Sequence, residues 1–441
     1  MQIIGTFPHR TALLGLALWL AATCDGLAQG NPGNVQGVVA KLASAAGTLL
    51  VPDRGGWRAA APDAMIAANT QVMALPGERA VLDSKNRAVR LTLWGNLPEL
   101  SAAPVLESAV MLRAGAGVDL DFTLERGRVE LANRRDKGPA SVRVGFQDQS
   151  WELGLDEGAT VALELYQRWP RGAPFTLRPT PEDVPGVAFI AWVLKGEASL
   201  KVGGEQYSLH APPGPAYFHW DSLSGTDNGP KRRDKLPAWA EANEAPAPES
   251  QGILAAVAQQ RQQLARKPAV AVLSAALNSP DAQRRQLAVY GLAAVDQTAR
   301  VIEALADPRH EDVRQAAIEA LRHHIGRGPG LDSALYHLLQ NHRRYTPAQA
   351  EIVLQFLHGF SDRDREQPET YETLIAYLRS SQLAIRQFAK GQLEQWVAAG
   401  RKIAYNPAGS EEERAQAQEE WKKLIPKGKL PPKPKGDEPG K

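Results

Sequence analysis

The chain of 441 residues carries 51 basic against 49 acidic side chains, a formal net charge of +2, with 43% apolar and 23% charged residues. That length leaves room for two or three domains, and that composition excludes bulk disorder. Near-neutrality excludes a whole-molecule field that would draw the chain to nucleic acid or anionic lipid.

The first element in chain order reads as a secretory signal. His9 and Arg10 precede an apolar run from Thr11 to Thr23 and a small-residue exit at Gly26-Leu27-Ala28, so residues 1–28 are expected to be cleaved after Ala28. Export to the periplasm or the cell exterior follows. The apolar run falls well short of the roughly 20 residues a bilayer span requires, so no stable membrane span is expected. Cys24 is the only cysteine, and Thr23 is a poor residue before a lipid-modified cysteine, which argues against a lipid anchor. The mature chain then has no cysteine and no disulfide, thiolate metal site or cysteine nucleophile.

From about Val35 to Val144 short apolar runs alternate with Gly, Pro and Asp turns, as at Gly47 to Val51 followed by Asp53-Arg54-Gly55-Gly56, or Leu120 to Leu124 followed by Glu125-Arg126-Gly127. Such spacing predicts strands joined by tight turns, a β-sandwich or β-roll over 29–168. A Pro-rich crossover from Trp169 to Pro185 leads to a second small β unit over 186–223. Residues 224–250, rich in Pro, Gly, Asn, Lys and Glu, read as a linker.

The remainder carries a repeated phrase, R-Q-x-A-x-x-x-L, at Arg285 to Leu292, Arg314 to Leu321 and Arg386 to Leu393, with a degenerate copy at Ala350 to Leu357. The last two full copies lie 72 residues apart with the degenerate copy halfway, a period of 36. A period of this length in helix-forming residues predicts stacked helix pairs over 251–425, at about 268–295, 298–325, 331–359 and 369–399, because one pair cannot bury its apolar face alone. Pro280, Pro308 and Pro347 fall at or just before second helices. Glu411 to Leu424 is expected to cap the stack, and 426–441 reads as an extended Lys/Pro-rich tail.

Asp307-Pro308 and Asp312-Val313-Arg314-Gln315-Ala316-Ala317 resemble the turn and second helix of HEAT repeats. That resemblance implies an α-solenoid with protein-binding or scaffolding roles. Gly56-Trp57, Arg79-Ala80-Val81-Leu82, Leu124-Glu125-Arg126-Gly127-Arg128-Val129 and Gly158-Ala159-Thr160-Val161 resemble the FecR-like β-domain of extracytoplasmic regulators, across roughly residues 38 to 165. Where that family has an Asp-Gly-Ser hairpin, this chain has Asp83-Ser84-Lys85-Asn86. The combination resembles secreted proteins of planctomycete-type bacteria.

Catalytic patterns fail one by one. His310-Glu311 begins a zinc-protease helix motif, but Arg314 occupies the place of its second histidine. His323, His324, His337, His342 and His358 show no i, i+4 pairing, and His210 and His219 lack the spacing of a metal-binding strand. Asp119 and Asp121 share a strand face and suit an acid/base or calcium pair as well as a solvated face. No catalytic residue, cofactor or metal is therefore predicted. Arg285, Arg314 and Arg386 are the candidate functional residues: they line a groove for a partner, or they hydrogen-bond neighbouring turns and tie repeats together.

The expected fold is thus multidomain α and β, an N-terminal all-β sandwich or roll followed by a HEAT-like α-solenoid. The expected function is that of a non-enzymatic exported binding or scaffold protein of the bacterial envelope. Its partners would be envelope proteins, with wall polysaccharide as a further ligand. Alternatives are an extracytoplasmic signalling component of FecR type and a wall-polymer-binding structural protein.

Overall fold

A computed structural model describes residues 37–98, 100, 105–226, 229–240 and 250–432. The predicted signal segment and the end of the Lys/Pro tail lie outside these. A β-rich region precedes a helical one.

Seventeen strands occur among the described residues: β1 Val38–Leu42, β2 Leu50–Asp53, β3 Gly56–Ala59, β4 Met65–Ala67, β5 Gln71–Ala74, β6 Arg79–Ser84, β7 Val89–Trp94, β8 Ser108–Arg113, β9 Leu120–Asn133, β10 Ala140–Phe146, β11 Gln149–Leu155, β12 Thr160–Arg168, β13 Gly186–Lys195, β14 Glu197–Val202, β15 Glu205–His210, β16 Tyr217–Asp221 and β17 Gly225–Thr226. Strict alternation sets their faces. In β7 and β10 every second side chain is buried, the pattern that two-residue periodicity produces when one face of a strand meets a core.

The long strand β9 organises the pairing. Its first half runs parallel to β10 and antiparallel to β8, while its second half lies between β7 and β12. The change of neighbours occurs at Gly127, whose φ of +93° suits glycine. A Cβ there would meet the Glu107 carbonyl oxygen and the Ser108 hydroxyl, both at 2.4 Å. With β9 shared, one sheet continues through β6, β7, β12, β13 and β16 and the other through β5, β8, β10, β11 and β14. Inward residues of both, such as Leu91, Val129 and Leu131 from the first and Phe122, Val144 and Trp151 from the second, meet in one core.

Residues 186–223 continue these sheets instead of forming a sheet of their own. The Trp169 to Pro185 crossover turns the chain back so that β13 pairs with β12 along its length, while β14 pairs with β11. Phe189 stacks on Phe146 at 3.9 Å, and Trp151 meets Phe146, Phe189 and Phe218 edge-on at 5.0, 4.8 and 5.3 Å. Part of the predicted linker is also built in. The Lys231 N–H donates to the Tyr217 carbonyl at 2.8 Å, and the Trp239 ring stands edge-on to Trp94 at 5.6 Å.

Eleven α-helices follow among the described residues: α1 Gln251–Leu264, α2 Ala269–Ala276, α3 Ala282–Ala294, α4 Thr298–Leu305, α5 Glu311–Gly326, α6 Leu331–Arg343, α7 Pro347–His358, α8 Asp362–Arg365, α9 Pro368–Tyr377, α10 Leu383–Trp396 and α11 Glu411–Leu424. Their starts are written locally. Asp281 caps α3 by accepting from the Gln283 N–H, and Thr346 and Ser410 close reciprocal capping boxes with Gln349 and Glu413. No helix among the described residues is long and apolar enough to cross a membrane.

The helical core does not stop at the helices. Leu50, Met73, Leu75, Leu97 and Leu106 of the β half belong to the same buried cluster as Val257, Leu273 and Leu292. At about 1.5–3 kcal/mol for each buried side chain of this size, these five contribute on the order of 10 kcal/mol of gross apolar stabilisation to the shared core.

Candidate functional site

Arg285, Arg314 and Arg386 each occupy the fourth position of a helix, in α3, α5 and α10, and each is 8% exposed or less. That position turns the guanidinium back over the preceding turn. Arg285 Nη1 donates to the carbonyls of Ser279 and Pro280 at 2.8 and 3.0 Å. Arg314 Nη1 donates to the Asp307 carbonyl at 2.8 Å, and Arg386 Nη1 to those of Ser380 and Ser381 at 2.6 and 3.1 Å. The other edge of each fork reaches onward: Arg285 grips the Asp312 carboxylate through two bonds of 3.0 Å, Arg314 meets Gln387 Oε1 at 2.7 Å, and Arg386 meets the Pro407 carbonyl at 2.6 Å. Turn carbonyls left without helical partners are satisfied, and α3 is tied to α5, α5 to α10 and α10 to the turn before α11. Where the phrase degenerates at Ala350, the neighbouring Gln349 makes the tie, through Ser381 Oγ and Gln382 Nε2.

A second set of buried charges lies between the β and helical halves. Glu107, 1% exposed, precedes β8 and receives Arg126 Nε and Arg327 Nη2, both at 2.6 Å. Arg126 Nη2 continues to the Ala294 carbonyl at 3.1 Å, and Arg327 Nη1 to the Ala293 carbonyl and the Asp296 carboxylate at 3.1 and 3.0 Å. Two cations therefore sit on the C-terminal carbonyls of α3, where the helix dipole favours positive charge. Burial alone would raise the Glu107 carboxyl, but Arg327, His323 and Arg126 hold it well below the usual carboxylate range. The only sequence signal for this residue is a lone acid inside the apolar stretch Val105-Leu106-Glu107-Ser108-Ala109-Val110.

Two further welds flank it. Trp169 Nε1 donates to the Ile325 carbonyl at 3.1 Å, and its ring stacks on His358 at 4.4 Å. His358 Nδ1 lies 3.1 Å from the Ala173 carbonyl, which fixes that nitrogen as the donor. On the other side Arg261 of α1 pairs with Glu78 at 2.8 Å; burial pushes the Glu78 carboxyl up to about 7 despite this partner.

The buried histidines make stability pH-dependent. Burial pushes His323 down to about 4 and His324 to about 3, from an ordinary value of 6.5. Both are neutral in the folded chain but take up protons when unfolded, so their contribution is present above 6.5 and is lost as pH falls toward 4. Glu78 acts oppositely, its contribution fading as pH rises from 4.5 toward 7, and the smaller upward shifts of Glu130 and Glu394 run the same way, against the two large downward shifts of the histidines. The melting temperature is expected to fall between pH 6.5 and 4.5, and the fall should shrink in the His323→Gln/His324→Gln chain. An equal fall in both proteins would remove the histidines as its cause.

Two concave surfaces stand beside these welds. One, of about 490 Å³, is lined by Trp94, Trp239, Asn96, Thr48 and three arginines. Arg79 lies 3.9 Å over the Trp94 ring, and Arg128, fully buried and paired with Glu164 at 2.6 Å, lies 3.7 Å over Trp239. The other, about 560 Å³, runs between α7 and α9. Ile352, Phe356, Phe360, Leu374 and Tyr377 form its floor, Phe175 of the crossover closes one end, and Glu351, Asp364 and Glu369 stand on its rim.

Neither surface brings a nucleophile beside a base. Among the described residues no group of three or more His, Cys, Asp or Glu is placed to hold a metal ion. Asp119 is spent on the Ser141 N–H at 2.8 Å, on Asn86 at 2.7 Å and on Arg135, while Asp121 faces Arg143 at 3.3 Å. His210 Nδ1 stands 3.2 Å from Glu197. No protein-family model matches the chain, and no curated protein or solved structure matches it either.

Proposed function

We propose that this chain is a non-enzymatic binding protein of the bacterial envelope, exported by the signal at 1–28, in which a FecR-like β domain is fused to a HEAT-like α-solenoid. The repeated arginine phrase, with Arg285 of α3 tied to α5, Arg314 of α5 tied to α10 and Arg386 of α10 tied to the Pro407 turn, supports the helical-repeat reading. The observation that carries the binding role is the groove between α7 and α9. Its floor is aromatic and aliphatic, its rim carries acidic residues, and its volume of about 560 Å³ is that of a ligand site. The partner it fits is a protein segment with apolar side chains flanked by lysine or arginine.

Ile352 lies half-buried on the groove floor and its replacement faces solvent, so Ile352→Arg should fill the groove with a charge and leave the fold intact. A photo-cross-linker in place of Thr373, exposed at the groove edge, is expected to trap one envelope protein through a defined segment. Ile352→Arg should cut that yield by at least about tenfold. Equal trapping in the variant, or trapped segments that are acidic and polar, would sink this reading.

A further inference from the structure

A third concavity, about 280 Å³, lies where the end of β12 and the crossover behind it meet α5, α7 and α10. Arg168, Arg171 and Arg322 all line it, with the Trp169 and Trp396 rings and Gln392 completing the wall, and no aspartate or glutamate takes part. All three arginines are exposed at the mouth of this cleft, unlike the buried arginines that are paired with acids. Arg126, Arg128, Arg285 and Arg327 each hold a carboxylate within 3.0 Å. Among the described residues, no carboxylate lies within ion-pair distance of Arg168, Arg171 or Arg322. Arg322 makes one long bond, Nη2 to the Phe356 carbonyl at 3.3 Å, and Arg171 and Arg322 repel each other across the cleft. The acid that acts on Arg322 from its own helix, Glu319, is engaged with the Tyr290 hydroxyl at 2.5 Å and the Gln315 amide at 3.3 Å.

Three like charges held in one concavity from two parts of the chain repel one another, solvent screening this only in part, and an anion between them relieves the repulsion. Their place is fixed by packing: Trp169 is bonded to Ile325 and stacked on His358, and a Cβ on Gly326 would strike the Gln167 carbonyl at 2.5 Å, so β12 and α5 lie in backbone contact. Guanidinium forks present paired N–H donors that match tetrahedral oxyanions, and three forks suit a dianion better than a monoanion. The volume admits a phosphate group with a small substituent but not a folded polypeptide segment. We infer that this arginine cleft is a binding site for a phosphate oxyanion, either as a small phosphoester or as a phosphate unit of an envelope polymer.

The test uses the full chain with inorganic phosphate as probe, read by calorimetric titration in sodium chloride at fixed ionic strength. Saturable one-to-one binding is expected, with a rise in melting temperature that chloride does not reproduce. Arg171→Gln and Arg168→Gln change exposed side chains and should keep the fold, verified by an unchanged melting temperature in chloride. Each should weaken phosphate by about tenfold or more. A parallel titration with poly(glycerol phosphate) separates the sources: tighter binding than inorganic phosphate points to a polymer, weaker binding to a free phosphoester. Phosphate binding no tighter than chloride, or binding that both substitutions leave unchanged, would overturn the assignment.

Discussion

Replacing Glu107 with alanine is expected to cost about 3–5 kcal/mol of folding free energy, the range seen when one partner is removed from a buried ion pair. The size follows from what the change leaves behind. Arg126 and Arg327 stand 11% and 8% exposed, and both ion pairs end on this one carboxylate at 2.6 Å. Without it the two cations face each other in a largely buried site, Arg126 with only the Ala294 carbonyl as acceptor and Arg327 with the Ala293 carbonyl and the more exposed Asp296 carboxylate. Because Arg126 belongs to β9 and Arg327 follows α5, the loss falls on the contact between the halves. The Glu107→Ala chain should therefore unfold in two steps, with tryptophan fluorescence of the β half separating from helical ellipticity at 222 nm. A cost below about 1 kcal/mol, or a single coincident transition at unchanged midpoint, would show that the cluster is not what joins the halves.

Arg128→Met should be comparably severe, about 3–5 kcal/mol, for the mirror-image reason. Glu164, 2% exposed, would lose the Arg128 bond at 2.7 Å and keep the Trp192 Nε1–H at 3.0 Å as the donor to its second oxygen. Arg128 also lies over the Trp239 ring, so the same change loosens the segment that carries Trp239. Removing both charges together, as Arg128→Met/Glu164→Leu, should recover most of the loss, since replacing a whole buried pair by apolar side chains is often near neutral. Urea midpoints at constant m value measure both variants. A double variant as unstable as the single one would mean that shape, not uncompensated charge, sets the cost.

The helical half was legible because its information is local and repeated. An arginine at the fourth helical position always finds the carbonyls of its own preceding turn, and the alanines and leucines beside it face the neighbouring helix, so the phrase marks each second helix. The strands were legible from glycine and aspartate turns and from alternation in runs such as Val89 to Trp94. The division of the β half was less so. Residues 186–223 look separate behind a Pro-rich crossover, yet backbone pairing to β11 and β12 depends on register, which composition does not encode. The welds were the least legible. Glu107, Arg126 and Arg327 lie in three distant segments, and each alone looks like an ordinary surface charge; only the fold reveals that they share a site. His323, His324 and His358 likewise carry no spacing signal, because their partners lie on backbone and side chains of the other half or of distant turns.

The candidate binding surfaces inherit this geometry. The arginine cleft draws Arg168 and Arg171 from the β side and Arg322 from α5, and the groove between α7 and α9 is closed by Phe175 of the crossover. Each surface needs both halves held in register. Calorimetric unfolding of residues 37–432 at neutral pH tests that directly. One transition is expected, with the van't Hoff enthalpy equal to the calorimetric enthalpy and with coincident fluorescence and ellipticity changes. Two separable transitions, each matching one half, would contradict the account, since the halves would then be independent domains and neither surface would be a fixed feature of the molecule.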